Sequence, residues 1–186
     1  SVNRGLGPAR QSAEIDITQL APLVSSSVPL VVGGPINPAI QFILGAFFLM
    51  HAIELSCALA GSVKLRGDGA SLVASWLLPA SKTDPGGSSV SRSWGCLCSS
   101  GPICPAHLPQ QHIKILELRF GKSAEGLPFF SDLLGKFVPK ERVVKTYEQL
   151  ADRLGEPLVD DMGRNRFGGH SARVSGARYL ANIGLE

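Results

Sequence analysis

Apolar residues recur with helical spacing in several stretches of the chain, so the pattern predicts a mostly helical protein. The clearest stretch covers residues 140–154, with Pro139 before it and Gly155 after it as start and stop signals. The longest covers residues 38–60 and predicts either one helix or two abutting helices. The other segments predicted to be helical are 13–23 (a weak pattern), 109–119, 129–137 and 171–182.

Two shorter stretches are typical of strands. Residues 63–65 and 72–78 are joined by Arg66-Gly67-Asp68-Gly69, which is a good hairpin turn. Residues 81–101 are rich in Gly, Ser and Cys, and we expect them to form a loop. The predicted fold class is therefore α+β, mostly α-helical with a small antiparallel sheet.

Composition and length indicate one folded domain. Of 186 residues, 44% are hydrophobic and 18% are charged, which favours a globular protein over a disordered one. We expect residues 1–35 to be a flexible or linker segment and residues 36–186 to form the domain, with a Cys-rich loop at 86–108. The formal net charge of +3 permits a nucleic-acid partner without requiring one. We expect both ends, Ser1 and Glu186, to be truncations of a longer protein.

One apolar stretch resembles a membrane span. Residues 42–50 are continuously apolar, and apolar character resumes up to Ala60. His51 and Glu54 interrupt the stretch, and a charged side chain at the centre of a bilayer costs about 2.5–3.5 kcal/mol on insertion scales. The uninterrupted run is also far shorter than the roughly 20 residues that a span needs. We therefore predict a buried core helix and no membrane partner, with a membrane anchor as the alternative.

Three of the four cysteines lie close together in the sequence. Cys96-x-Cys98 precedes Cys104-x-x-His107, and these four side chains are potential ligands for a structural zinc ion. Reduced cysteines without a metal are the alternative, because this spacing is less specific than paired C-x-x-C motifs. Cys57 lies in the apolar stretch and is expected to be a core residue. No secretory signal opens the chain, so we expect an intracellular, reducing compartment, which would be the nucleus in a eukaryote.

His170 and Arg173 are the most informative pair. They follow two glycines at the start of a predicted helix, and their spacing places both on one face. Free N–H groups at a helix start favour an anion. An arginine can hold two phosphate oxygens, and a histidine can move a proton near neutral pH. The two side chains therefore suit a phosphodiester, although an isolated H-x-x-R spacing more often marks a surface His and Arg that share no task.

The sequence around this pair resembles the second signature box of the tyrosine recombinases, the phage-integrase family. The matching residues are Gly169-His170-Ser171-Ala172-Arg173, then Gly176-Ala177-Arg178-Tyr179-Leu180-Ala181 and Gly184. Ala172 replaces the usual leucine of the box, which we expect to change packing more than chemistry.

Two earlier segments resemble other parts of that family in the same order. Residues 47–55 resemble its first arginine box, with Glu54 at the acidic position and His51 where the arginine is expected. Residues 79–85 resemble the hairpin end that carries the family's lysine in integrases of some eukaryotic mobile elements, and Lys82 takes that place. The resemblance covers residues 38–186.

The resemblance implies a domain that binds double-stranded DNA and recombines or integrates it through a 3′-phosphotyrosyl intermediate, without a catalytic metal or ATP. In that mechanism Arg173 would stabilise charge on the phosphate oxygens, His170 would assist proton transfer, and Lys82 would protonate the leaving 5′ oxygen. Glu54 would orient its neighbours. The full-length protein is expected to self-associate on DNA.

Because of two departures from the family pattern, we expect that this fragment does not cleave DNA by itself. His51 is shorter than arginine and lacks its fork, and losing one such donor costs about 10²–10³ in rate. A core histidine is the alternative role for His51. The family's nucleophilic tyrosine lies beyond the second box and is expected past Glu186, so neither Tyr147 nor Tyr179 is assigned as the nucleophile.

Further arginines are candidates for DNA contact, with solvated surface charge as the alternative for each. They are Arg92, Arg164, Arg166 and Arg178. Two rival functions stay open from the sequence. One is a non-catalytic DNA-binding module that kept the fold and lost the chemistry. The other is a zinc-stabilised interaction domain in which the His170–Arg173 spacing is accidental.

Overall fold

The computed structural model describes residues 12–78, 90–121 and 124–185. These ranges contain five α-helices and one three-stranded antiparallel sheet, so the predicted α+β class is confirmed. The helices are α1 (Pro38–Phe47), α2 (Ala52–Cys57), α3 (His107–Phe120), α4 (Lys140–Arg153) and α5 (Ser171–Asn182). The strands are β1 (Val63–Arg66), β2 (Val73–Leu78) and β3 (Val90–Gly95), in the order β1-β2-β3.

Helix α1 is the centre of the core, and all ten of its residues are buried. It packs against α3, α4 and α5. The apolar stretch forms two helices because the chain turns after α1, where Leu49 adopts a left-handed φ of 51°. The predicted buried helix is confirmed. Across the described ranges, every helix is too short or too polar to cross a membrane.

The sheet contains the predicted hairpin and a third strand in a segment that was predicted to be a loop. Val63 of β1 pairs with Trp76 of β2, and Trp76 pairs in turn with Arg92 of β3. The loop prediction was wrong for residues 90–95. Strand β3 lies at an edge and alternates half-buried Arg92 and Trp94 with exposed serines, so its polar composition hid a period of two.

The predicted helix at 129–137 is also wrong. Phe129 and Phe130 are buried, and the chain then turns at Asp132. The Asp132 carboxylate accepts hydrogen bonds from the backbone N–H groups of Leu134 (2.8 Å) and Lys136 (2.9 Å). Aspartate competes with helical hydrogen bonds in this way, and here the turn prevails.

Residues 12–35 were expected to be a linker, yet they contribute Ile15, Ile17 and Leu20 to the core. A short 3-10 helix, Ile17–Leu23, stands where the weak helical pattern was noted. The Ile15 N–H donates to Ser175 Oγ on α5 at 2.8 Å. This segment is therefore held by both apolar packing and a buried hydrogen bond.

Helices α1 and α5 cross at small residues. A Cβ at Gly176 would overlap the backbone of Ala46, whose Cα would lie only 2.9 Å away. A Cβ at Gly45 would lie 3.1 Å from the Cβ of Ala172. Ala172 is fully buried at this crossing, which explains in packing terms why a small residue occupies the position.

Candidate anion site and metal cluster

One backbone hydrogen bond joins the start of α2 to the turn before α5, and a second hydrogen bond lies within that turn. The Ala52 N–H donates to the Gly169 carbonyl at 2.9 Å, and the Gly168 N–H donates to Ser171 Oγ at 3.0 Å. A side chain at Gly169 would crowd this junction, because its Cβ would lie 3.2 Å from Cε of Lys140. The junction therefore brings the residue before α2 next to the residue before α5.

Three predicted site residues meet at this junction. The rings of His51 and His170 are tilted by 55°, with centroids 4.4 Å apart. Arg173 Nη1 lies 3.0 Å from His51 Nε2. His170 and Arg173 are exposed and His51 is partly buried. The structure thus places the two ends of the proposed phosphate site side by side, open to solvent.

The contact with Arg173 defines the role of His51. A guanidinium only donates hydrogen bonds, so Nε2 of His51 is the acceptor in this contact, which suits a neutral imidazole ring. Burial lowers the pKa of His51 below 6.5, and the nearby charges of His170, Arg173 and Arg92 lower it further, against the opposing effect of Glu54. His51 is therefore an acceptor that orients Arg173, and it adds no positive charge at neutral pH.

Glu54 acts on the backbone at this site. Its carboxylate accepts a hydrogen bond from the His51 N–H at 2.6 Å, across the first turn of α2. A carboxylate in that position also complements the positive end of the helix. Glu54 thereby holds the backbone of His51, and its expected role as an orienting group of a phosphate site stays a prediction.

Arg92 reaches the same region from β3. Its Nη1 donates to the carbonyl of Phe48 and, at 3.1 Å, to that of Leu49. Trp94 follows on the same face of β3, and its Nε1 donates to the Phe47 carbonyl at 2.8 Å. Two alternate residues of one strand therefore bind the C-terminal end of α1, just before His51.

Lys140 is a neighbour of the site that the sequence did not predict. It begins α4, and the end of its side chain lies over Gly169, the residue before His170. The proximity of Lys140 to Gly169 depends on how α4 packs against α2, and no local sequence motif predicts it. The only available signal was a cation at a helix start, where the helix dipole disfavours it.

The other predicted DNA contacts have partners within the chain. Arg164 pairs with Asp160 (2.8 Å), Arg166 with Glu156 (3.4 Å) and Arg178 with Glu14 (2.9 Å). Hydrogen bonds from the Arg164 backbone and side chain lower the pKa of Asp160 below 3.8. Lys82, the predicted general acid, lies outside the described residues.

Both tyrosines have packing roles. Tyr147 is fully buried, with its ring edge-on to Phe42 (centroids 4.8 Å apart), and burial raises the pKa of its hydroxyl. Tyr179 packs edge-on against Phe47 at 5.4 Å. It also lines a groove of about 450 Å³ between residues 14–18 and α5, which His51, His170 and Arg173 do not line.

A second cluster lies between β3 and α3. The ligand atoms of Cys96, Cys98, Cys104 and His107 all lie within 4.8 Å of one another and could hold a metal ion such as zinc. His107 Nδ1 lies 3.4 Å from the Cys98 sulfur and 3.3 Å from the Cys104 sulfur. The four residues that the sequence suggested as metal ligands therefore lie close together in the structure.

Hydrogen bonds prepare one of these thiols for a metal. Partial burial opposes ionisation of Cys104, but hydrogen bonds from His107 and from the Leu97 N–H (3.2 Å) prevail and lower its pKa to about 6. A thiolate is the form that binds metals. Cys57, by contrast, is exposed at the end of α2, so the prediction of a core cysteine was wrong.

Comparison with models of known protein families gives no match for this chain, and comparison with curated protein sequences gives none either.

Proposed function

We propose that this chain is a DNA-binding domain of the tyrosine-recombinase type, which holds a phosphodiester of the duplex at His170 and Arg173. The observation that carries the proposal is the contact between Arg173 and His51, residues 122 apart in the chain. These residues come from the two boxes that resemble the family. The resemblance implies that both boxes serve one site, and their proximity supports that interpretation.

The chemistry of the site suits a phosphodiester on a large ligand. Arg173 is exposed and oriented by His51, so its guanidinium can present further N–H donors to non-bridging oxygens. His170 stands beside it and can donate to the same phosphate or move a proton. The site is an open surface rather than an enclosed pocket, and a duplex requires an open surface.

We expect this chain to bind DNA without cleaving it. His51 supplies an acceptor where the family has a charged fork, and Tyr147 and Tyr179 are committed to packing. Recombination or integration by a longer protein would need a tyrosine nucleophile from elsewhere. Self-association on DNA would likewise be a property of such a longer protein.

We also propose that the cysteine cluster holds a structural zinc ion. Three cysteine sulfurs and one imidazole would supply the four ligands of a closed site, which is the number typical of structural zinc. The ligands come from the end of β3 and the start of α3, so the ion would join these two elements.

Duplex binding tests the main proposal. Fluorescence anisotropy of a labelled DNA duplex, measured between about 50 and 200 mM salt, should show binding that weakens as salt rises. Arg173→Gln should reduce the affinity about tenfold or more. Arg153→Gln, an exposed arginine in the last turn of α4, is the matched control and should bind like the parent. A parent chain that does not bind duplex at low salt would contradict the proposal and favour a DNA-free zinc domain.

A further inference from the structure

We propose that Arg92 of β3 supplies the second guanidinium of the phosphate site, in place of the arginine that is absent at position 51. The inference rests on the proposed function and names a further binding residue of the same site. It changes the role of Arg92 from a general DNA contact to a member of one defined group with His170 and Arg173.

The position of Arg92 is the first support. Its guanidinium binds the carbonyls of Phe48 and Leu49, which precede His51 by three and two residues. The charge of Arg92 also lowers the pKa of His51, as the charge of Arg173 does. Arg92, on a strand, therefore binds the chain just before His51, whereas Arg173, on a helix, contacts the His51 ring itself.

The way Arg92 is held is the second support. A long side chain at the surface loses rotamer freedom when it binds a ligand, and that loss weakens binding. Arg92 is half-buried, and Trp94 on the same face of β3 fixes the strand through the Phe47 carbonyl and ring. The guanidinium is therefore positioned before any ligand arrives.

The charge balance is the third support. His51 is a neutral acceptor, so position 51 does not supply the second guanidinium that a phosphate clamp of this kind uses. Glu54 is the acidic group that acts on His51, and its carboxylate is bound to the His51 N–H. An anion at His170 and Arg173 would thus meet the additional positive field of Arg92.

A purely structural role is the competing explanation. Arginine near the C-terminal end of a helix binds free carbonyls and complements the helix dipole, and Arg92 does both for α1. Such a role would make Arg92 important for stability without changing how many cations the DNA contacts. The dependence of binding on salt separates the two explanations, because its slope counts neutralised phosphates.

The test measures duplex affinity against salt for the parent chain, Arg92→Gln, Arg92→Lys and Arg153→Gln. Arg92→Gln should weaken binding about tenfold and make the log–log salt slope shallower by about one. Arg92→Lys should keep the parent slope, and Arg153→Gln should keep both slope and affinity. An unchanged slope in a folded Arg92→Gln variant would overturn the inference, even where its affinity falls.

A second measurement uses the unaltered chain, in case Arg92→Gln does not fold. In an NMR titration with duplex, the side-chain Nε resonances of Arg92 and Arg173 should both shift, while that of Arg153 should not. A shift at Arg173 without one at Arg92 would overturn the inference and leave the proposed function standing. A parent chain without duplex binding would overturn the proposed function itself.

Discussion

Arg173 donates a hydrogen bond to Nε2 of His51 across 3.0 Å, and this contact joins the start of α5 to the start of α2. The two side chains are not equivalent halves of a clamp. One carries the charge and the other holds it in place. A histidine at position 51 is therefore compatible with anion binding, although it weakens the stabilisation that catalysis would need.

The first prediction concerns the titration of His51. Its imidazole should titrate below 6.5 in an NMR pH series, because burial and neighbouring cations disfavour the charged ring. Arg173→Gln removes one of those cations and should raise the pKa of His51 toward 6.5. Arg153→Gln should leave it unchanged. A parent His51 that titrates at or above 6.5 would contradict the described environment.

The second prediction concerns stability against pH through His112. This ring is fully buried on α3, where Nδ1 lies 2.7 Å from Asn37 Nδ2 and Nε2 faces the Phe129 carbonyl. Burial lowers the pKa of His112 to about 4. The unfolded chain binds the proton near pH 6.5 and the folded chain only near 4, so stability falls as pH drops between these values.

His112 should contribute about 3 kcal/mol to this loss. Urea unfolding of the parent and of His112→Gln across that pH range measures it. The variant should be less stable at neutral pH, because it disturbs a buried hydrogen-bond pair, but its stability should depend less on pH. Parallel pH curves for the two proteins would rule out this role.

The third prediction concerns the metal cluster. Purified protein should contain about one zinc ion per chain, and cobalt in its place should give the absorption of a tetrahedral thiolate site. Cys104→Ser should lose the metal and lower the melting temperature. Cys57→Ser alters an exposed cysteine outside the cluster and should keep both. Equal metal content in the two variants would exclude binding at this cluster.

The fourth prediction concerns the crossing of α1 and α5. Gly176→Ala should destabilise the fold by about 2–3 kcal/mol, because the added Cβ would overlap the backbone of Ala46. Gly126→Ala is the matched control, since a Cβ at Gly126 meets open space. Thermal unfolding of both variants measures the difference. A Gly176→Ala protein as stable as the control would show that the helices can separate without cost.

The fifth prediction concerns Lys140. Its side chain lies over Gly169, so Lys140→Gln should make the salt dependence of duplex binding shallower by about one. Lys145→Gln is the matched control, because Lys145 is exposed on the same helix and turned by about 140° from Lys140. Equal salt dependence for the two variants would remove Lys140 from the site.

The sequence predicted those parts of the fold that local patterns control. Helix α5 spans the predicted residues 171–182, and α4 starts where Pro139 and an amphipathic pattern indicate. Strand β3 was missed because an edge strand buries only alternate side chains, and here they are an arginine and a tryptophan among serines. Turn chemistry at Asp132 likewise overrode the apolar pattern around it.

The candidate site divides in the same way. The spacing of His170 and Arg173 on α5 is local and could be predicted, as could the grouping of Cys96, Cys98, Cys104 and His107. The positions of Arg92 and Lys140 depend on how β3 and α4 pack against the ends of other helices. The spacing of residues along the chain does not predict these positions.

The crossing at Gly176 has a consequence for how a ligand is received. Helix α5 begins at the residues proposed to bind an anion, and α1 ends just before His51, so the close approach of the two helix backbones at Gly176 helps to set the distance between the two sides, together with the Ala52–Gly169 hydrogen bond. A site built this way is preorganised. A ligand would spend little of its binding energy on ordering the protein, and the free and occupied forms should have nearly the same backbone.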